Sequence, residues 1–242
     1  MSRVCCQTLS ELGTNAPIVF SHRPYSSVTG GARGLGVSFA QGLAEAGLMW
    51  LYLMSLSLLQ SSVIFPKVMA WRPHHISEGL NIRFEIYLTT SRVDVTSMEN
   101  LEKGFEVFAA DFGGILDICV PCAGINKNIP FLETSFEEHQ RLISVNVTGV
   151  FPAQLAAKQM IKNGTIKGSI IMTASIASYM AIRTQTWSAY CGTKGVVKAM
   201  APPIAAALNQ YGIRVNTISP GFVRTEMTAP VRSSLQINNS GQ

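Results

Sequence analysis

Charged side chains are scarce in this chain. Asp, Glu, Lys and Arg make up 14% of its 242 residues, where soluble domains ordinarily carry about a quarter. The excess of base is slight, with a formal net charge of +5 and a pI near 9.0. It is either compositional drift or a mild attraction for a phosphorylated small molecule. No basic run with interleaved aromatics occurs, which argues against a nucleic-acid partner. The first 20 residues lack a basic start followed by an apolar core, so no secretory signal is expected and the setting reads as cytoplasmic. Internal repeats and low-complexity tracts are absent. The five cysteines do not form an extracellular framework: Cys5 and Cys6 adjoin in a loose N-terminus, and Cys119 and Cys122 flank a Val-Pro pair. A C-x-x-C without a second Cys/His pair is a poor metal site. It falls at the end of a buried-looking strand in a reduced chain. His74 and His75 also lack ligand partners, so no metal is expected.

With 47% hydrophobic residues, the 242-residue chain reads as one globular domain with a sizeable core. Apolar runs alternate with helical patterns. Strands are expected at Pro24 to Val28, near Met54, at Ile115 to Val120, at Gly168 to Ala174 and at Ile213 to Ile218. Helices are expected at Val37 to Ala46, Met98 to Asp111, Phe136 to Asn163 and Ser188 to Gln210. Such alternation argues for a parallel sheet with helices on both faces. Pro202 and Pro203 fall inside the last helix, where proline kinks or breaks it, so a bend is expected there.

Two patterns point to chemistry. Tyr190 precedes Lys194 by four residues, which places phenol and ammonium on one helix face. A nearby positive charge favours phenolate, so Lys194 is expected to lower the Tyr190 pKa and fit it for proton exchange with a hydroxyl or carbonyl oxygen. Far upstream, Thr29-Gly30-Gly31-Ala32-Arg33-Gly34-Leu35-Gly36 opens a helix. Glycines there let backbone approach a pyrophosphate seated on the helix N-terminus.

Together these motifs resemble the classical short-chain dehydrogenase/reductases, with a texture similar to fungal polyol and ketose reductases of the mannitol dehydrogenase type. The resemblance covers residues 25 to 47 and 91 to 229, and the motifs follow in family order. It implies an α/β fold: a Rossmann-type doubly wound parallel sheet in three α/β/α layers, here lacking the last helix and strand. It implies hydride transfer between NADP(H) or NAD(H) and a carbonyl or secondary alcohol, such as a polyol, ketose or secondary-metabolite ketone. The implied catalytic residues are Asn146, Ser175, Tyr190 and Lys194, with Ser178 as the alternative serine. Tyr190 would act as general acid. Lys194 would hold the nicotinamide ribose, Ser175 the developing oxyanion, and Asn146 a water linking Lys194 to solvent.

The implied cofactor contacts are Gly30, Arg33, Gly34, Leu35, Gly36, Asp94, Val95, Cys122, Ala123, Gly124, Tyr190, Lys194, Pro220, Gly221, Val223 and Thr225. Cys122 stands where the family has Asn. Asp94 would contact adenine, or cap the helix starting near Ser97. Arg33 resembles the basic residue of NADP(H)-preferring members, and no acid stands near Met54 to take ribose hydroxyls, so NADP(H) is favoured over NAD(H).

Two stretches depart from the family pattern. Residues 49 to 91 are anomalous and read as partly foreign to the fold, and Leu48 to Phe65 approaches the length of a membrane span. Four serines and a glutamine count against that span. After Thr225 the chain runs into a polar tail at 230 to 242, without the family's usual closing portion. A catalytically impaired or binding-only remnant and a membrane-anchored protein are therefore competing readings, and a homo-oligomer of the family type is left open.

Overall fold

The structure is a computed structural model that describes residues 24–31, 33–46, 50–55, 68–71, 84–165, 167–181 and 185–228. The N-terminus with Cys5 and Cys6, residues 48, 49 and 56–65 of the apolar run, the His74-His75 pair and the tail at 230–242 lie outside the described residues.

Among the described residues, seven strands form one sheet: β1 (Tyr25–Thr29), β2 (Trp50–Ser55), β3 (Val68–Trp71), β4 (Phe84–Arg92), β5 (Ile118–Pro121), β6 (Ser169–Thr173) and β7 (Arg214–Ile218). Their spatial order is β3-β4-β2-β1-β5-β6-β7. All neighbours run parallel except β3, which pairs antiparallel with β4 at the edge through Val68↔Tyr87 to Trp71↔Phe84. Without that edge strand the order is that of a doubly wound dinucleotide fold. The anomalous stretch thus contributes a native-type strand. Trp50 to Met54 pair with Tyr25 to Thr29 on one side, and Trp50 to Ser55 with Tyr87 to Arg92 on the other. Residues 50–55 are extended in the sheet, and among the described residues no helix is long and apolar enough to cross a membrane.

Five helices cover the sheet: α1 (Gly34–Glu45), α2 (Met98–Phe112), α3 (Phe136–Asn146), α4 (Pro152–Lys162) and α5 (Ser188–Leu208). In α2, Leu101, Phe105, Phe108 and Phe112 recur at helical spacing and are all buried. They stack in series, with ring centroids 6.5 Å apart for Phe105 and Phe108 and 5.1 Å for Phe108 and Phe112. Ser97 caps this helix through its Oγ, and Gly113 ends it in the left-handed conformation at φ 63°. Asp94 is therefore not the cap. Its carboxylate accepts instead from Thr96 N at 2.9 Å and Thr96 Oγ1 at 2.7 Å.

The alternation of β5 and β6 sorts their side chains onto two cores. Cys119, Ile170 and Met172 join the large cluster with α2, α4 and α5, while Ile118, Val120 and Ile171 meet Phe39, Ala40 and Leu43 of α1. Both faces of the sheet are thus covered, which gives three layers.

The expected long helix from Phe136 to Asn163 is instead two. It breaks between Asn146 and Pro152, with a short 3₁₀ turn at Thr148–Val150. Proline at the first position of α4 cannot donate to a preceding turn. At Gly149 an added Cβ would lie 3.0 Å from Val95 Cγ2, so the chain presses against the loop after β4. By contrast α5 runs unbroken through Pro202 and Pro203. Both prolines are exposed, so the carbonyls they leave without a helical partner can meet water.

Candidate active site

The sheet's order reverses between β1 and β5, and ligands of open α/β sheets bind in the crevice at such a switch point. A cleft of about 310 Å³ lies there. Thr29, at the end of β1, is fully buried. Its buried hydroxyl accepts from Cys122 N and Ala123 N, both at 3.1 Å, and so ties the end of β1 to the loop after β5. The motif threonine is a structural clasp that the sequence reading placed in the motif without assigning it a role.

Gly30, Arg33, Gly34, Leu35 and Gly36 line one end of the cleft. Helix α1 starts at Gly34 with no side-chain cap and no acidic residue in its first turn. Its leading N–H groups therefore face the cleft without an internal partner, which is the arrangement that binds phosphate oxygens. The glycines are sterically required. A Cβ at Gly36 would sit 2.2 Å from Gly30 O, and one at Gly30, where φ is +68°, would sit 3.0 Å from Ala123 N and Cα. Gly36→Ala is expected to force the loop open, costing about 2 kcal/mol or more and removing cofactor binding. Gly42→Ala, in the same helix with open space around it, is expected to raise stability by about 0.5–1 kcal/mol. Thermal melts of the two variants check the contrast.

Arg33 does not reach freely into solvent. Its Nη1 lies 3.3 Å from Glu226 Oε2, across the mouth of the cleft. The side chains are 44% and 78% exposed, so the pair is weak and a bound phosphate can draw Arg33 away. At the far wall Pro220, Gly221, Val223 and Thr225 line the cleft, as do Cys122, Ala123 and Gly124. Asp94 and Val95 are not among its lining residues. Val95 is buried in the core at 1% exposure, against Gly149.

The catalytic candidates converge at the other end. Ser175 follows β6, and its Oγ accepts from Ala177 N at 3.2 Å. Ser175 and Tyr190 line the same end of the cleft, where the serine hydroxyl is near enough to favour the ionised phenol. Ser178 does not line this cleft, and its Oγ is buried without a partner. The structure thus brings Ser175, rather than Ser178, to the tyrosine. Lys194 is 5% exposed and donates from Nζ to Thr173 O at 2.6 Å. Asn146 is 1% exposed; its Oδ1 accepts from Ile125 N at 2.8 Å, and its Nδ2 donates to Ile125 O at 2.9 Å and Thr193 Oγ1 at 3.1 Å. Thr193 Oγ1 in turn donates to Tyr190 O at 2.8 Å. A Cβ on Gly124 would sit 3.3 Å from Asn146 Oδ1 and 3.6 Å from Lys194 Nζ, so both polar atoms flank one point of the cleft.

The electrostatics differ from the sequence expectation. Burial pushes the Tyr190 phenol above its usual value, and the nearby Ser175 hydroxyl only partly opposes it. Lys194 does not lower it. Nζ lies 6.0 Å from the Tyr190 ring centroid, and burial has brought the lysine itself down to about 8. The cation is close to losing its own charge, so desolvation of the phenol wins. The Cys122 thiol is also held up by burial. Cys119 is pushed to about 12 by the same cause. These thiols stay protonated and are free, so the C-x-x-C is packing and not redox chemistry.

Several lining residues carried no signal in the sequence. Trp187, three positions before Tyr190, meets it edge to face at 6.0 Å and meets Phe222 at 5.7 Å. Together with Ile125, Ile176 and Met227 they give that end an apolar wall. Only the i, i+3 spacing of Trp187 and Tyr190 hinted at this.

A family model described as short chain dehydrogenase matches residues 26–236. Gluconate 5-dehydrogenase of Gluconobacter oxydans is 32% identical over 206 residues, covering 83% of this chain and 72% of that protein. The 3-hydroxyacyl-CoA dehydrogenase type-2 of Drosophila melanogaster is 32% identical over 219 residues, covering 84% and 76%. Among solved structures, a short-chain type dehydrogenase/reductase from Mycobacterium marinum superposes with a TM-score of 0.71 at 29% identity, covering 88% of this chain and 78% of that one. A gluconate 5-dehydrogenase from Burkholderia cenocepacia, in complex with NADP and tartrate, gives 0.68 at 26% identity, covering 86% and 75%. A serine–tyrosine pair beside a buried lysine, an open helix terminus across the same cleft, and these likenesses lead to one conclusion: the chain belongs to the short-chain dehydrogenase family, NAD(P)-dependent oxidoreductases that act on CH–OH groups.

Proposed function

We propose that the chain transfers a hydride between NADP(H) and a ketone or secondary alcohol, of the polyol, ketose or secondary-metabolite kind. The observation that carries this is the meeting of Ser175, Tyr190 and the buried Lys194 at one end of a cleft whose other end is the uncapped start of α1. A nicotinamide cofactor, when bound, supplies or accepts the hydride. The glycine loop and the N-terminus of α1 would hold its pyrophosphate, and Pro220, Gly221, Val223 and Thr225 would enclose its nicotinamide end. Arg33 supports NADP(H) over NAD(H), as do the absence of an acid at Met54 and Ser55 and the NADP seen in the Burkholderia relative.

In reduction, Ser175 and Tyr190 hold the carbonyl oxygen, and the phenol donates the proton that the alkoxide needs. Lys194, with its pKa near 8, can pass a proton at neutral pH. Asn146 Oδ1, beside Lys194 across Gly124, would hold the water through which that proton comes from solvent.

A thermal melt with and without each cofactor tests the reading. NADPH at a hundredfold excess over its dissociation constant should stabilise the chain by about 2.7 kcal/mol. NADH at the same concentration should give a smaller shift. No shift with either cofactor would overturn the proposal, and a larger one with NADH would reverse the preference.

A further inference from the structure

Glu226 is the one acidic side chain among the described residues that line the cleft. A cleft that is to hold a dinucleotide's phosphates is opposed by a fixed negative charge at its mouth. The carboxylate is placed there by a turn closed on itself. Thr228 Oγ1 donates to Val223 O at 2.6 Å and accepts from Thr225 N at 3.0 Å, and Thr228 N donates to Thr225 O at 3.1 Å. Thr225 sets this turn against the glycine loop, since a Cβ on Gly34 would lie 3.5 Å from its Cγ2. Glu226 Oε2 thereby meets Arg33 Nη1 at 3.3 Å.

The guanidinium is thus engaged by a carboxylate before any cofactor arrives. Carboxylate and phosphate compete for the same planar fork of donors. NADP(H) carries one phosphate group more than NAD(H). Where Arg33 takes that group, the pair with Glu226 is lost and the carboxylate is left beside a second anion. NAD(H), without that group, leaves the pair standing.

We propose that Glu226 is a specificity-determining residue for the cofactor, a built-in rival anion that weakens the preference for NADP(H) which Arg33 confers. This rests on the hydride-transfer reading for the identity of the cofactor, and it gives a role to a residue which that reading leaves idle. The two side chains are 44% and 78% exposed, so water and salt screen them. The rivalry is therefore of the size of an exposed ion pair, about twofold to fivefold in a dissociation constant.

The test is a double-mutant cycle on the full chain, with Arg33→Gln, Glu226→Gln and the two together. Both side chains reach solvent, so the substitutions leave the core untouched. Titration calorimetry gives dissociation constants for NADPH and NADH, and for 2′,5′-ADP and 5′-AMP, fragments that differ by the same phosphate. Glu226→Gln should shift the NADH-to-NADPH ratio about twofold to fivefold toward NADPH, and the ratio of the fragments by the same factor. Arg33→Gln should lower both ratios below wild type. Glu226→Gln added to it should change nothing further. An equal gain for NADPH and NADH would overturn the assignment, since the carboxylate then opposes the pyrophosphate that both carry. A gain that persists without Arg33 does the same, because Glu226 then acts on the cofactor by itself. Unaltered ratios in Glu226→Gln also sink it. If neither nicotinamide cofactor binds but the fragments show the shift, Glu226 keeps its role as rival anion and the hydride-transfer reading alone fails. If the fragments do not bind either, both fall.

Discussion

Tyr190→Phe is expected to lower kcat for carbonyl reduction by about a thousandfold while leaving the cofactor-induced rise in melting temperature intact. The estimate follows from what a positioned general acid contributes, about 10²- to 10⁴-fold. Among the groups lining its end of the cleft, Ser175 is a far weaker acid than the phenol, and Lys194 gives its bond to Thr173 O. The substitution removes one oxygen and keeps the ring, so the contact with Trp187 is retained. Burial holds the phenol protonated well beyond neutral pH, which suits donation in reduction. Oxidation needs the phenolate, so its rate should climb with pH through the alkaline range, and Tyr190→Phe should flatten that climb. Steady-state kinetics in both directions, beside a melt with cofactor, check this. Retention of more than about a tenth of wild-type turnover would move the proton donor elsewhere.

The parts of this molecule that were legible in its sequence are those whose cause is local. Helix α2 shows its buried face in the recurrence of Leu101, Phe105, Phe108 and Phe112, and its limits in Ser97 and Gly113. Strands β1, β5, β6 and β7 fall within a few residues of where the apolar runs place them. What failed depended on partners distant in sequence. The helical pattern from Phe136 to Asn163 conceals a break, because Gly149 must lie against Val95 and Pro152 starts a new helix. The prolines of α5 do not end that helix, and both lie exposed on it. Strand β3 gave no sign, since an antiparallel edge strand depends on β4 for its existence.

The site divides in the same way. Segments whose backbone carries the function, the glycine turn and the loop after β7, are visible as motifs and line the cleft where expected. Asp94 and Val95 belong to such a motif without lining the cleft: the Asp94 carboxylate accepts from Thr96, and Val95 is buried in the core. Trp187, Phe222 and Asn126 reach the cleft from its flanks, and nothing in their own segments announces it. The sign of the Tyr190 shift was lost for a related reason. Spacing reveals that Lys194 is near, but only packing shows that both groups are too buried for the cation to dominate.

That burial makes Lys194 a cost to the fold, and Lys194→Met is expected to stabilise the cofactor-free chain at pH 7. A lysine brought from 10.5 to about 8 is penalised by roughly 3 kcal/mol while charged, at about 1.4 kcal/mol per pKa unit. Methionine of similar length removes the penalty and forfeits the charged donor's bond to Thr173 O, worth about 1.5–3 kcal/mol, for a net gain of about 1 kcal/mol. The sign of the pH dependence follows from proton counts. Below pH 8 both folded and unfolded chains hold the lysine proton, and the penalty is constant. Between about 8 and 10.5 the unfolded chain binds more protons than the folded one, so wild-type stability rises with pH. Above about 10 the buried Tyr190 opposes this, because the folded chain then keeps a phenolic proton that the unfolded chain has lost. Denaturant melts from pH 7 to pH 10 should therefore show wild-type stability climbing by about 2 kcal/mol, with Lys194→Met starting higher and staying flat. The variant should lose turnover at every pH. Such a pairing, more stable and inactive, is what separates a lysine retained for proton transfer and ribose binding from one retained for packing. If Lys194→Met melts lower than wild type at pH 7, the ammonium is satisfied in the fold, and its place beside Asn146 and Thr173 is structural.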